Sequence, residues 1–235
     1  MIARHPLDNP AREALLGPQA ELARRCGTAL RYPADMSPFV ALPDQPGPAD
    51  WADLARLAGP GGVAATAGVA AEPPPEWELL MNIEGVQLTG ERVAGRADPE
   101  AVPLGPADVP DMLSLVARTR PGPFLPRTVE FGGYIGIRRD GELVAMAGER
   151  IRPPGWSEIS AVCTDPAVRG QGLATRLTLA VAAAITGRGE TPFLHAAAEN
   201  VTAIRLYEAL GFELRRIAIF VVARAPRAAA KGQQA

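Results

Sequence analysis

The chain has 235 residues, of which 47% are hydrophobic, and a formal net charge of -2. That length allows one large domain or two small ones with a sizeable core, and the lack of a basic field argues against a nucleic-acid partner. Two cysteines (Cys26, Cys163) and two histidines (His5, His195) make neither a zinc pattern nor a disulfide framework, so no metal and a reducing compartment are expected.

Met1 to Pro10 holds no apolar stretch of signal-peptide type. Prolines and glycines punctuate the first half. Pro43 to Pro48 reads as a loop, Trp51 to Ala58 as a short helix ended by Gly59-Pro60-Gly61-Gly62, and Glu72 to Glu76 as a second loop. Val63 to Val69 and Trp77 to Leu88 read as strands. The turn-rich segment Gly95 to Gly105 suggests a boundary, dividing an N-terminal unit (1–97) from a second one (98–223).

The second unit is more regular. Ala107 to Arg118 predicts a helix with Asp108 and Asp111 in its first turn. Tyr134 to Arg138 and Leu143 to Arg150 flank Arg139-Asp140-Gly141, a hairpin signal. Glu158 to Thr164 is a strand. Gly170 to Thr186 is a helix with Leu173, Leu177, Val181 and Ile185 on one face. A strand at Phe193 to Ala196, a helix at Asn200 to Leu210 and a strand at Phe212 to Ala223 follow, and Arg224 to Ala235 is a small-residue tail expected to be disordered. The longest apolar helical run, Leu177 to Ile185, is too short to span a bilayer, so no membrane partner and a cytoplasmic location are expected.

Chemistry concentrates in Val162-Cys163-Thr164-Asp165-Pro166-Ala167-Val168-Arg169-Gly170-Gln171-Gly172-Leu173-Ala174, where a strand runs through a glycine-bearing turn into a helix. Such a turn leaves backbone N–H groups pointing outward at the positive end of the helix dipole, which suits a pyrophosphate. Gly170 and Gly172 let an anion approach the backbone, and Arg169 adds a cation. A Walker loop would need Gly-Lys-Ser/Thr where Gly172-Leu173-Ala174 stands. A dinucleotide fingerprint would need Gly or Ala where Thr175 stands, and Glu190 precedes the next strand instead of ending it.

Arg169-x-x-Gly172-x-Ala174 resembles the Arg/Gln-x-x-Gly-x-Gly/Ala signature of the GNAT superfamily of N-acetyltransferases. Leu194 to Phe212, with Asn200, Ala203-Ile204-Arg205-Leu206-Tyr207 and Gly211-Phe212, resembles that superfamily's second coenzyme A-contacting motif. The resemblance covers roughly residues 100–222. The first hundred residues are similar to the extra N-terminal half of some bacterial GNAT proteins and of glycine N-acyltransferase-like proteins. The resemblance implies a mixed α/β fold, with a central, mostly antiparallel sheet flanked by helices and a smaller N-terminal α/β subdomain, itself a candidate partial GNAT-like half.

It also implies acetyl-CoA as co-substrate. The backbone of Val162, Cys163 and Thr164 would pair with the pantetheine arm, and the amides of Arg169, Gly170, Gln171, Gly172, Leu173, Ala174 and Thr175 would hold the pyrophosphate. Asn200 would contact the arm or cap its helix, and Tyr207 would stand near the sulfur. Asn200 and Tyr207 are seven apart and share a helix face. A phenol of ordinary pKa about 10 stays protonated at neutral pH and can donate to a leaving thiolate; the plain alternative is packing.

Glu158 is the first candidate base for the attacking amine and Glu149 the second, against a solvated strand-edge role for either. His195 reads as a packed core residue, and Cys163 as a buried, inert one that leaves direct amine attack as the simpler mechanism. Arg205, Arg215 and Arg216 read as surface charge, with the CoA phosphates as the alternative. The function implied is acyl transfer from acetyl-CoA to a small-molecule or peptide amine, against a CoA-binding module without turnover. The acceptor groove would draw on Arg118 to Gly133, with Phe124, Arg127 and Phe131. The N-terminal half would wall that groove or make a homodimer contact.

Overall fold

Local turn chemistry sets the C-terminal strands. In the computed structural model, which describes residues 5–67 and 72–227, Asp140 and Gly141 both have positive φ (51° and 86°). They form the two-residue link that a right-twisted hairpin requires, between β7 (Ile135–Arg139) and β8 (Glu142–Glu149). Next come β9 (Trp156–Thr164), α4 (Leu173–Gly187), β10 (Thr191–Ala197), α5 (Val201–Ala209) and β11 (Glu213–Arg224). The N-terminal part supplies α1 (Pro10–Leu16), β1 (Arg24–Cys26), β2 (Ala29–Arg31), β3 (Val40–Ala41), α2 (Pro48–Ala58), β4 (Val63–Ala67) and β5 (Glu78–Thr89). The short β6 (Val102–Pro103) and α3 (Val109–Thr119) lead into β7. The strand expected to reach Val69 is described only to Ala67, and 228–235 of the expected tail lie outside the described residues. No helix among the described residues is long and apolar enough to cross a membrane.

Eight strands join one sheet in the order β4-β11-β5-β10-β9-β8-β7-β6. Every pair is antiparallel except β9 with β10. The boundary expected at residue 97 does not separate two sheets. β5, from before it, lies between β10 and β11, from after it, and hydrogen-bonds to both. The residues around Gly95 to Gly105 do form turns and loops, but strand pairing carries the sheet across them. What stands apart is a small β1-β2-β3 sheet packed with α1 and α2.

β8 turns one face to α4 and the other to α3, with its alternation broken by the bulge at Val144. Ala145 and Ala147 pack beneath α4, whose Leu173, Leu177, Val181 and Ile185 are all buried, as the four-residue spacing predicts. Leu143 and Met146 pack against Met112 and Leu115 of α3. On β5, Val86 and Leu88 join the α4 cluster. Leu88 is fully buried in a strand from the N-terminal half, so Leu88→Ala should lower the unfolding free energy of the whole chain by about 2–5 kcal/mol in urea titration. An unchanged midpoint would mean that β5 is dispensable to the sheet.

Candidate functional site

β9 and β10 pair over three residues only: Trp156, Ser157 and Glu158 against Thr191, Pro192 and Phe193. Past that point β9 stays with β8 up to Thr164, while β10 follows β5. Two parallel strands thus part company in mid-sheet. β9 also carries a bulge, since Met146 pairs with Cys163 but Gly148 with Ser160. The extra residue leaves Ala161 and Val162 without ladder partners on β8, and Ala161 adopts φ +54°, a strained value for a side chain with a Cβ. The sequence has no marker for this bulge, because no glycine announces it.

The opening is a groove of about 540 Å³. One wall is Val162, Cys163 and Thr164 of β9; the other is Asn200, Ala203 and Tyr207. Arg169, Gly170, Gly172, Leu173, Ala174 and Thr175 close one end. Ala203 apart, these are residues expected from the sequence, and separate elements bring them together. Gln171 and Glu158 are not on the lining. Thr119, Arg120 and Pro121, at the end of α3, are on it and belong to the segment that sequence reasoning gave to the acceptor. The aromatics of that segment turn inward instead: Phe124 packs edge-on to Tyr134 and Phe131 to Tyr32. Arg127 pairs with Glu130 and Asp35.

The glycine turn has the form an anion needs. Asp165 accepts from Ala167 N–H at 3.0 Å and from Arg118 Nε at 2.7 Å, which pins the turn to α3. Gly172 caps α4 at φ +73° with no side-chain cap, and Arg176 N–H bonds to Gly172 O at 3.0 Å. The amides of Leu173, Ala174 and Thr175 precede that first helical bond. A Cβ added at Gly170 or Gly172 would meet nothing within 4 Å, so the space above the turn is open. Thr164 Oγ1, on the wall, is buried and meets no hydrogen-bond partner among the described residues. A pyrophosphate with a polar arm fits this donor set.

Asn200 Oδ1 accepts from Ala203 N–H at 3.2 Å, so of its two expected roles the helix cap is the one its side chain fills. Tyr207 is buried edge-on to Phe212, and burial, aided by nearby Cys163, pushes its phenol up to about 12. Burial also pushes the Cys163 thiol up to about 11, which makes it a poor nucleophile at neutral pH.

Glu158 requires a correction. It is fully buried, and both its oxygens are taken: Arg150 donates from Nε and Nη2 at 2.9 and 2.8 Å, and His195 Nδ1 lies at 2.7 Å. Burial alone would raise its pKa, but the charge of Arg150 and the bonds from His195 and Arg150 hold it well below the carboxylate range. A carboxylate so held accepts a proton poorly, and the general-base role is not retained. Glu149, the second candidate, is also buried and accepts from Ser157 Oγ and Arg188 Nη2, both at 2.5 Å. Arg215 and Arg216 reach Asp8, not the groove.

Comparison with known proteins bears on the same segment. The FR47-like protein family model matches residues 134–221. The chain is 31% identical over 115 residues to a mycothiol acetyltransferase from Mycobacteroides abscessus, covering 48% of this chain and 36% of that one. It is 34% identical over 83 residues to the N-alpha-acetyltransferase RimI of Mycobacterium tuberculosis, covering 34% of this chain and 51% of that one. The chain thus spans between a third and a half of these curated relatives. A crystal structure of a GNAT-family protein from Novosphingobium aromaticivorans superposes with a TM-score of 0.87 at 39% identity, over 96% of this chain and 100% of that one. That match takes in the N-terminal half and the inserted β5 together with the groove, and the chain belongs to the GNAT superfamily of N-acetyltransferases.

Proposed function

We propose that the protein transfers an acetyl group from acetyl-CoA to a primary amine by direct attack within a ternary complex. The observation that carries this is the single groove joining the capless α4 turn, the bulged end of β9 and the buried Tyr207. Acetyl-CoA supplies there an acyl group activated as a thioester. The amides of Leu173 to Thr175, with Arg169, hold its pyrophosphate, and the backbone of Val162 to Thr164 pairs with the arm. Val162, on the groove wall beside the bulge, has a backbone N–H of the kind that stabilises a developing oxyanion. Tyr207 keeps its proton at neutral pH and is the donor to the departing sulfur. The raised Cys163 thiol supports direct attack over a cysteine-bound acyl group. The amine arrives neutral or loses its proton to water, since neither candidate carboxylate is available. That last observation also favours the second reading, a CoA-binding module without turnover.

Thiol release from acetyl-CoA in the presence of a panel of small amines and peptides separates the two. Turnover with at least one amine is expected; tight CoA binding with no turnover across the panel would leave the module. Tyr207→Phe should lower kcat by about a hundredfold while leaving acetyl-CoA affinity nearly unchanged. Equal losses in both would make Tyr207 a packing residue. Gly172→Ala puts a Cβ into the open space at positive φ. It should weaken CoA binding about tenfold, or about 1.4 kcal/mol by calorimetry. An unaltered affinity would move the pyrophosphate elsewhere.

A further inference from the structure

Glu158 is the last residue of β9 that pairs with β10, opposite Phe193. Two residues beyond Phe193, His195 already pairs with Gln87 of β5. The 2.7 Å bond between His195 Nδ1 and Glu158 Oε1 therefore crosses the fork where the backbone ladder ends. Three residue pairs are all that the backbone contributes before the fork. Arg150, just past β8, grips the same carboxylate from the other side, and its guanidinium lies 4.7 Å from the Phe39 ring centroid.

The histidine's proton can be placed. Gln87 Oε1 accepts from Arg215 Nη1 at 2.7 Å, and Gln87 Nε2 donates to Leu7 O at 3.0 Å. The amide orientation is thereby set, and its nitrogen faces His195 Nε2 at 3.0 Å. Nε2 must accept, so Nδ1 carries the hydrogen and gives it to Glu158. The ring is wedged edge-on between Phe193 and Phe220, at 5.6 and 5.3 Å. One line of side-chain bonds thus runs from Arg150 through Glu158, His195 and Gln87 to Arg215, tying β8, β9, β10, β5 and β11 together on the face away from α4. Arg150, Glu158 and His195 all lie outside the groove lining.

A base needs an oxygen open to the reacting amine, and Glu158 has none. A strap needs every bond satisfied and a place at the hinge of the opening, and Glu158 has both. We propose that Glu158 is a positioning residue: with Arg150 and His195 it straps β9 to β10 at the apex of the fork, and so sets Val162 to Thr164 against Asn200 and Tyr207. This rests on the acetyl-transfer reading of the same groove.

The test uses the full chain and three variants. His195→Phe keeps an aromatic ring between Phe193 and Phe220 but removes the donor. His195→Asn returns a donor near the position of Nδ1. Glu158→Gln removes the charge. Kinetics with the best amine, the pH profile of kcat/KM, acetyl-CoA affinity, and hydrogen exchange at Val162 to Thr164 and Leu194 to Ala197 are read for each. In His195→Phe, kcat should fall about tenfold to a hundredfold, and exchange should quicken in those two segments but not in α4. His195→Asn should recover most of the rate. Glu158→Gln should lower kcat without removing the acid limb of the pH profile. Loss of that limb would restore Glu158 as the base and overturn the strap, as would a folded His195→Phe with native rate and exchange. If the wild-type protein acetylates no amine, the proposed function fails by itself, and the exchange comparison alone decides the strap. If His195→Phe does not fold, the other two variants decide it in the same way.

Discussion

β9 and β10 share a ladder over three residue pairs, and the elements on either side hold the strands apart beyond it. β8 keeps β9 on course through a bulge, and β5 draws β10 the other way. The groove is the space between. It is walled by backbone that a continuous sheet would have covered: the edge of β9 at Val162 to Thr164, and the first turn of α4, which has no side-chain cap. Side chains add less to the lining than to its support. Buried alone, each charge of the Arg150–Glu158 pair would be costly, and the pairing geometry is what makes both tolerable there.

The two faces of the sheet divide the work. On the α4 face, Leu173, Leu177, Val181 and Ile185 give an apolar support that fixes the glycine turn at the head of the same helix. On the other face, polar side chains cross the strands. From the N-terminal part, the Phe39 ring lies under the Arg150 guanidinium, and Gln19, held by the Tyr32 hydroxyl, donates to the Arg150 carbonyl. The N-terminal half is thus tied into the support of the fork through contacts a long way from the groove's own lining.

How much of this the sequence displayed depended on the range of the interaction. Asp140-Gly141 and the four-residue spacing of α4 are local signals, and both elements lie where they were expected. The glycine turn was legible because its chemistry is contained in a few consecutive residues. The place of β5 was not, since strand order depends on pairing partners more than a hundred residues away. The environment of Glu158 was hidden for the same reason: Arg150 and His195 come from other strands and meet it only through register. Thr119 to Pro121 look like an ordinary helix end, and only the tertiary fold brings them to the groove.

The insertion of β5 between β10 and β11 also shapes how the chain reaches its native state. β5 is made first, and its two neighbours follow only after roughly a hundred more residues. At about 5–20 residues per second it waits on the order of 5–20 s with both edges unpaired. Its first half carries Leu79 and Met81, still exposed in the folded protein. An unpaired, partly apolar strand is a template for pairing with the wrong chain. Synthesis of this protein therefore contains an interval in which an interior strand of its sheet is open on both edges, and that strand is covered only when β10 and β11 dock.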